Sequence, residues 1–270
     1  MQYRDSFLRS VVVIDTETTN MYPDKAEIVE LAAARYDGNN WDVVSRLFGA
    51  ADGIPPEASA KNHISRHMIE GLPTFIDAVD PAKSMLGVNQ AKMWVAHNSD
   101  YDQTVLDRAF TAAGDHGSAT LMHMRDMWIC TYRLSQQLLD ISFDDMQYNL
   151  SYLRYKLDLP VDDALGAHRA AADTVVCAVL FEFLVDYALA TDAVTDGPDL
   201  AEQIWALCWR PRPITKWPFG KNKGKLLSEI PTDYYMWALD NMDALKEGSA
   251  GFSPDLAASV AAELEKRLAT

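Results

Sequence analysis

The stretch VVVIDTETTN, residues 11–20, decides how this chain is read. Four apolar residues, Val11 to Ile14, run without interruption into Asp15 and Glu17, and no lysine or arginine follows until Lys25. A short continuous apolar run ending in a polar cluster is the pattern of a strand buried on both faces. Side chains alternate along a strand, so Asp15 and Glu17 project to the same side and two like charges are held close together. An isolated D-x-E at a strand end is ordinarily just solvated. Whether these two acids have a task depends on what else the chain brings to them.

Two further acids stand out. Asp102 falls on the apolar stripe of a helix expected over about 100–113, in register with Leu106, Ala109 and Phe110. Asp173 does the same in a longer helix expected over about 169–190, in register with Cys177, Leu180, Phe181 and Leu184. Neither has a basic residue at helical spacing along its face, and burying an unpartnered charge is costly. One aspartate in a first turn can be satisfied by backbone amides. Four carboxylates together call for another explanation, and a divalent cation supplies it, because hard oxygen ligands suit magnesium or manganese. His168 lies five residues before Asp173; if the helix begins near Ala170, His168 sits on the approach loop, from which it can reach the acids as a base.

The rest of the chain supplies the frame. At 270 residues and 49% hydrophobic content it can bury a sizeable core, as one large domain or one plus a small annex. EIVELAAARYDG and WDVVSRLF follow the first strand as a hairpin turning at Asp37-Gly38, and MWVA (93–96) reads as another strand. Residues 126–140 and 149–158 read as helical, and 191–199 as a linker, which gives domains over 1–195 and 196–270. Cys130, Cys177 and Cys208 fit neither a disulfide framework nor a zinc motif. No segment approaches the roughly 18 to 20 apolar residues of a membrane span, so a cytoplasmic protein with no membrane partner is expected.

The net charge of −15 argues against a polyanionic partner, but the charge is unevenly spread. Residues 1–195 hold 15 Lys/Arg and 28 Asp/Glu, whereas WRPRPITKWPFGKNKGK (209–225) holds six Lys/Arg and no acid. That stretch is a local basic patch on an acidic protein.

DTET (15–18), AHNSDYD (96–102) and HRAAAD (168–173) resemble, in order and spacing, the three motifs of the DEDDh (DnaQ-like) 3′–5′ exonucleases, a branch of the ribonuclease H-like superfamily. The similarity runs over roughly 9–190. It includes EIVELAAARYDG, which resembles the family's second strand, and NHISRHMIEGLPTF, where Asn62 and His63 stand in place of the His-Gly of many members. The resemblance implies an α/β fold with a mixed five-stranded sheet flanked by helices. It implies two Mg2+ or Mn2+ ions on Asp15, Glu17, Asp102 and Asp173, and His168 as general base for a water attacking a 3′-terminal phosphodiester. It further places Thr16, Thr18, Ile64 and Asn98 against the substrate.

FGKNKGKLLSEIPTDYYMWAL (219–239) resembles the small C-terminal module of exodeoxyribonuclease X-type proteins. Its glycines allow a tight turn that would present Lys221, Lys223 and Lys225 to nucleic acid. The expected partner is DNA at a 3′ end, single-stranded. RNA is the alternative within the same chemistry, and a non-catalytic nucleic-acid-binding module is the alternative in a different class.

Overall fold

The computed structural model describes residues 2–139, 148–162, 169–247, 249 and 252–269. The first strand continues past its apolar run and through the acids, so that β1 spans Val11–Thr18. It pairs antiparallel with β2 (Ile28–Tyr36), and β2 pairs antiparallel with β3 (Trp41–Leu47). On its other edge β1 pairs parallel with β4 (Met93–Ala96), which pairs parallel with β5 (Trp128–Cys130). The order β3-β2-β1-β4-β5 puts β1 at the centre of a mixed five-stranded sheet. A central strand is covered on both faces, which is why Val11 to Ile14 are all apolar and all buried. The turn between β2 and β3 is held by Asp37, whose carboxylate accepts from the amides of Asn39 and Asn40.

Helices surround the sheet. In the first part of the chain they are α1 (Gln2–Ser10), α2 (Pro56–Asn62), α3 (Arg66–Ile69), α4 (Val79–Leu86), α5 (Asp100–Ala112), α6 (His116–His123) and α7 (Thr131–Leu138). Then come α8 (Leu150–Lys156), α9 (Ala170–Ala190), α10 (Leu200–Trp209), α11 (Thr232–Asn241) and α12 (Pro254–Leu268). Within the helix expected over 126–140, Asp126 and Met127 end a 3-10 turn and residues 128–130 are the strand β5. A three-residue element is too short for periodicity to register, and an all-buried Trp128-Ile129-Cys130 reads the same in either structure. The N-terminal helix α1 had no signal strong enough to be expected.

Alternation along β1 divides its side chains between two layers. Val12 and Ile14 pack with Leu86, Trp94, Val105, Leu106, Phe110 and Trp128, a core built with α4 and α5. The opposite face is covered by α9, which lies across β1, β2 and β3. This helix is apolar nearly all round because it is buried, with Cys177, Leu180, Phe181 and Leu184 against the sheet side and Phe181 edge-on to Phe7 of α1. Its C-terminal half is tied to α1 by Arg4. The guanidinium donates to both carboxylate oxygens of Asp186 at 2.8 Å and to Glu182 at 2.6 Å, and Trp41 Nε1 holds the second oxygen of Glu182 at 2.9 Å.

The chain falls into two compact units, 1–208 and 209–270. The division comes after Cys208, later than the boundary expected at 195. The helix α10 belongs with the first unit: Leu200, Ile204 and Cys208 are buried, and Cys208 Sγ accepts from the Cys130 amide of β5 at 3.3 Å. Cys130, Cys177 and Cys208 are free, buried thiols. The second unit has its own core of Trp217, Leu227, Ile230, Tyr235, Leu256 and Val260. Among the described residues no helix is long and apolar enough to cross a membrane.

Arg4 sits between two acids that would otherwise face each other at the end of α9. Arg4→Ala should therefore destabilise the first unit by about 1–3 kcal/mol, the range for losing hydrogen bonds between charged groups. A urea titration with an unchanged midpoint would show that the cluster is merely solvated.

Candidate active site

The two acids of β1 and one of α9 meet. Asp15 and Glu17 lie on the face of β1 that α9 covers, and Asp173 enters from the first turn of that helix. One carboxylate oxygen from each of the three lies within 4.8 Å of the other two. An irregularity in the pairing between Glu17 and Thr18 ends the strand's regular register at this point.

Asp102 is brought to the same strand from the other layer. It lies in the first turn of α5, is 4% exposed, and its Oδ1 accepts from the Thr16 amide at 3.0 Å and from the Thr16 hydroxyl at 2.7 Å. It is outside the group of three oxygens but acts on it through its charge. Burial pushes the Asp15 carboxyl well above its ordinary range, and the nearby charges of Asp102, Glu17, Asp173 and Glu30 push the same way. Glu17 is raised to about 7, chiefly by burial and then by Asp173, against an opposing pull from Lys61. Asp102 is also raised to about 7 by burial, opposed by its two bonds from Thr16. These groups are hard oxygen donors, desolvated and mutually repelling, and among the described residues the arginine nearest in sequence to Asp173 is engaged elsewhere. The donor set fits a divalent cation bound by Asp15, Glu17 and Asp173.

That arginine is Arg169, the residue before α9. Its Nε and Nη2 donate to Glu30 at 2.9 and 3.1 Å, and the Ala170 amide donates to the same carboxylate at 3.2 Å. Glu30 is 1% exposed, stands opposite Glu17 across the β1–β2 ladder, and takes a further bond from the Ser45 hydroxyl at 2.6 Å. It thus fixes the first turn of α9, and with it Asp173, to the sheet. Neither Glu30 nor Arg169 was singled out from sequence, although one acid inside the apolar run IVELAAA was a signal that a buried partner exists.

The remaining expected site residues are distributed as follows. His168 lies outside the described residues. The hydroxyls of Thr16 and Thr18 turn away from the three-oxygen group. That of Thr16 bonds Asp102, and that of Thr18 bonds the Tyr101 hydroxyl and the Asn20 carbonyl, to which Tyr101 also donates at 2.5 Å. Both threonines are buried, so their side chains brace the strand end between β1 and α5. Ile64 is fully buried among Val29, Ile54 and Ile69, which makes it a core residue and corrects the expectation that it touches substrate. Asn98 is exposed at the turn into α5 with a left-handed backbone, φ 67°, which asparagine tolerates better than most residues. His97 beside it bonds Thr131 Oγ1 through Nδ1 at 2.9 Å and orders that loop. Burial keeps it neutral by lowering its pKa to about 4. Lys221, Lys223 and Lys225 are exposed in the second unit.

Known proteins resemble this chain in sequence and in fold. The chain is 27% identical over 238 residues to exodeoxyribonuclease 10 of Escherichia coli strain K12, covering 86% of this chain and 92% of the relative. It is 28% identical over 174 residues to DNA polymerase III subunit epsilon of Treponema pallidum strain Nichols, covering 63% of this chain and 74% of that one. The solved structure of exonuclease X in complex with 5′ overhanging duplex DNA superposes with a TM-score of 0.52 at 24% identity, over 73% of this chain and 99% of that chain. The shared fold is ribonuclease H-like. Residues 12–181, well over half of the chain and including Asp15, Glu17, Glu30, Asp102 and Asp173, match the family described as Exonuclease. The chain belongs to that exonuclease family.

Proposed function

We infer that this protein is a metal-dependent 3′–5′ exodeoxyribonuclease that releases nucleoside 5′-monophosphates from DNA ends, single-stranded ends above all. The observation that carries the reading is the convergence of Asp15, Glu17 and Asp173 within 4.8 Å, from a strand and a helix far apart in sequence. Membership of the exonuclease family and the likeness to a protein named exodeoxyribonuclease 10 support the reaction and the choice of DNA.

In this proposal Asp15, Glu17 and Asp173 hold divalent cations, with Asp102 as the fourth acid of a two-ion set of Mg2+ or Mn2+. Bound ions would neutralise an acidic site against a phosphodiester and supply hydroxide from water at neutral pH. The chain's own residues do the rest. The central strand and the Glu30 anchor fix the spacing of the acids, Thr16 orients Asp102, and Asn98 stands exposed at the approach. His168 is assigned as the proton acceptor, from its place in the motif.

If these acids bind the ions, Asp15→Asn or Asp173→Asn should nearly abolish mononucleotide release from labelled DNA while leaving the fold intact. Wild-type turnover by either purified variant would refute the assignment. Running the same assay on RNA of equal length, with magnesium and with chelator, tests the sugar preference.

Glu30→Gln should keep the shape of the anchor but lose its charge. By analogy with groups that orient metal ligands, it should lower metal affinity or rate by about 10- to 100-fold. Manganese binding followed by electron paramagnetic resonance would expose an unaffected variant, and with it an error in the role of this anchor.

The raised carboxyls also set a pH dependence. The stability that their protonation lends the fold is present in full below their unfolded values of about 4 and is lost as pH rises through about 7. In chelator, Tm should therefore fall between about pH 5 and pH 8, and the fall should be shallower in Asp15→Asn. Over the same window magnesium affinity should rise with release of protons, read as a buffer-dependent binding enthalpy.

A further inference from the structure

The second unit carries aromatic surface that its own core does not use. Trp217 is buried and forms the hub: Phe219 meets it edge-on with ring centroids 5.7 Å apart, and Tyr234 does so at 5.3 Å. Tyr234 then lies 5.5 Å from Trp237 with the rings inclined by 35°. The two ends of this row open to solvent, Trp237 at 50% and Phe219 at 37% exposure. Tyr235, the neighbour of Tyr234, does the core work instead: it is fully buried and donates to the Leu227 carbonyl at 2.6 Å. Trp237 and Phe219 thus present part of their rings to water at the two ends of the row.

Beside the row stands the lysine turn. The amide of Trp217 donates to the Lys225 carbonyl at 2.9 Å and that of Gly224 to the Trp217 carbonyl at 2.8 Å, which closes a loop over 218–223. Gly220 and Gly224 take φ of 63° and 83°, values that favour glycine. Lys216, Lys221, Lys223 and Lys225 are exposed around it, and Lys221 Nζ lies 5.0 Å from the centre of the Tyr234 ring. The unit as a whole holds nine Lys/Arg and eight Asp/Glu, against 15 and 31 in residues 1–208. The second unit thus lacks the acid excess of the first, and four of its lysines stand beside exposed aromatic rings.

We propose that Phe219, Tyr234 and Trp237, flanked by Lys221 and Lys223, form a stacking site for unpaired nucleotides of single-stranded DNA. Bases have π-faces whatever their sequence, so such a row holds a strand without selecting among sequences. The acids of α11 give the strand a side. Asp233 and Asp240 lie one helical turn from Trp237 and repel phosphate, so the bases face α11 while the backbone follows the lysine turn. The inference rests on DNA being the substrate and adds a second place, on the second unit, that grips it.

The test uses the full chain in chelator with a labelled oligothymidylate of about 16 nucleotides, an upper length for one small binding site. Trp237→Ala should weaken binding roughly 5- to 100-fold without changing its salt dependence, and Trp237→Phe should keep most of the affinity. Replacing Lys221 and Lys223 by glutamine should instead flatten the slope of log affinity against log salt by about 0.7 for each phosphate no longer neutralised by a lysine. Binding by Trp237→Ala within twofold of wild type overturns the proposal, including the case in which the row serves a protein partner. If wild type with magnesium releases no mononucleotides, the exonuclease reading fails; if it does and Trp237→Ala binds normally, only the stacking site fails.

Discussion

Repulsion among half-buried carboxylates is the constraint around which the first unit is built. Asp15, Glu17 and Asp173 lie within 4.8 Å of one another, and Asp102 and Glu30 add their charge from either side. Left to themselves such groups would separate or take up protons, and Asp15 and Glu17 are raised first by burial and then by the charge of neighbouring acids. The scaffold resists separation by rigidity. Asp15 and Glu17 sit on the central strand, hydrogen-bonded along its length on the β2 side. The helix that brings Asp173 is secured at both ends, by Glu30 through Arg169 and Ala170 and by Arg4 through Glu182 and Asp186. Stability is thus given up locally so that charge can be concentrated, a pattern that belongs to functional sites.

Much of this was legible in the chain itself, and the illegible part has a common cause. The apolar run before Asp15 announced a doubly covered strand, and the register of Asp173 with Cys177, Leu180, Phe181 and Leu184 announced an acid on a buried face. Both are signals of local period. What stayed hidden depends on pairs distant in sequence: Glu30 with Arg169, Arg4 with Asp186, and Cys208 with Cys130, the contact that draws α10 into the first unit. Ile64 and the two threonines show the same limit from the other side. Their places in the motif can be read from the chain, but whether a side chain faces outward or into the protein is decided by what packs over it. The strand β5 was hidden for a different reason, since three residues carry no period at all.

The two units divide the electrostatic labour. Residues 1–208 carry the acids that a hydrolytic metal site requires and, with them, a field unfavourable to a polyanion. The near-neutral second unit gathers four of its lysines around one glycine-shaped turn beside exposed rings, which is where the proposed contact with nucleic acid is assigned. A uniformly basic protein would bind DNA more readily, but its lysines and arginines would also compete with metal for the carboxylates.

The acids that meet at the end of β1 come from opposite ends of the first unit, Asp15 near its start and Asp173 in its last long helix. During translation the strand leaves the ribosome first, and the site has no third oxygen until more than a hundred further residues have followed and α9 has docked. A metal-dependent nuclease whose acids assemble in this order lacks its complete set for as long as it is being made. On the reading proposed above, its ability to cut arrives in one step, with closure of the fold.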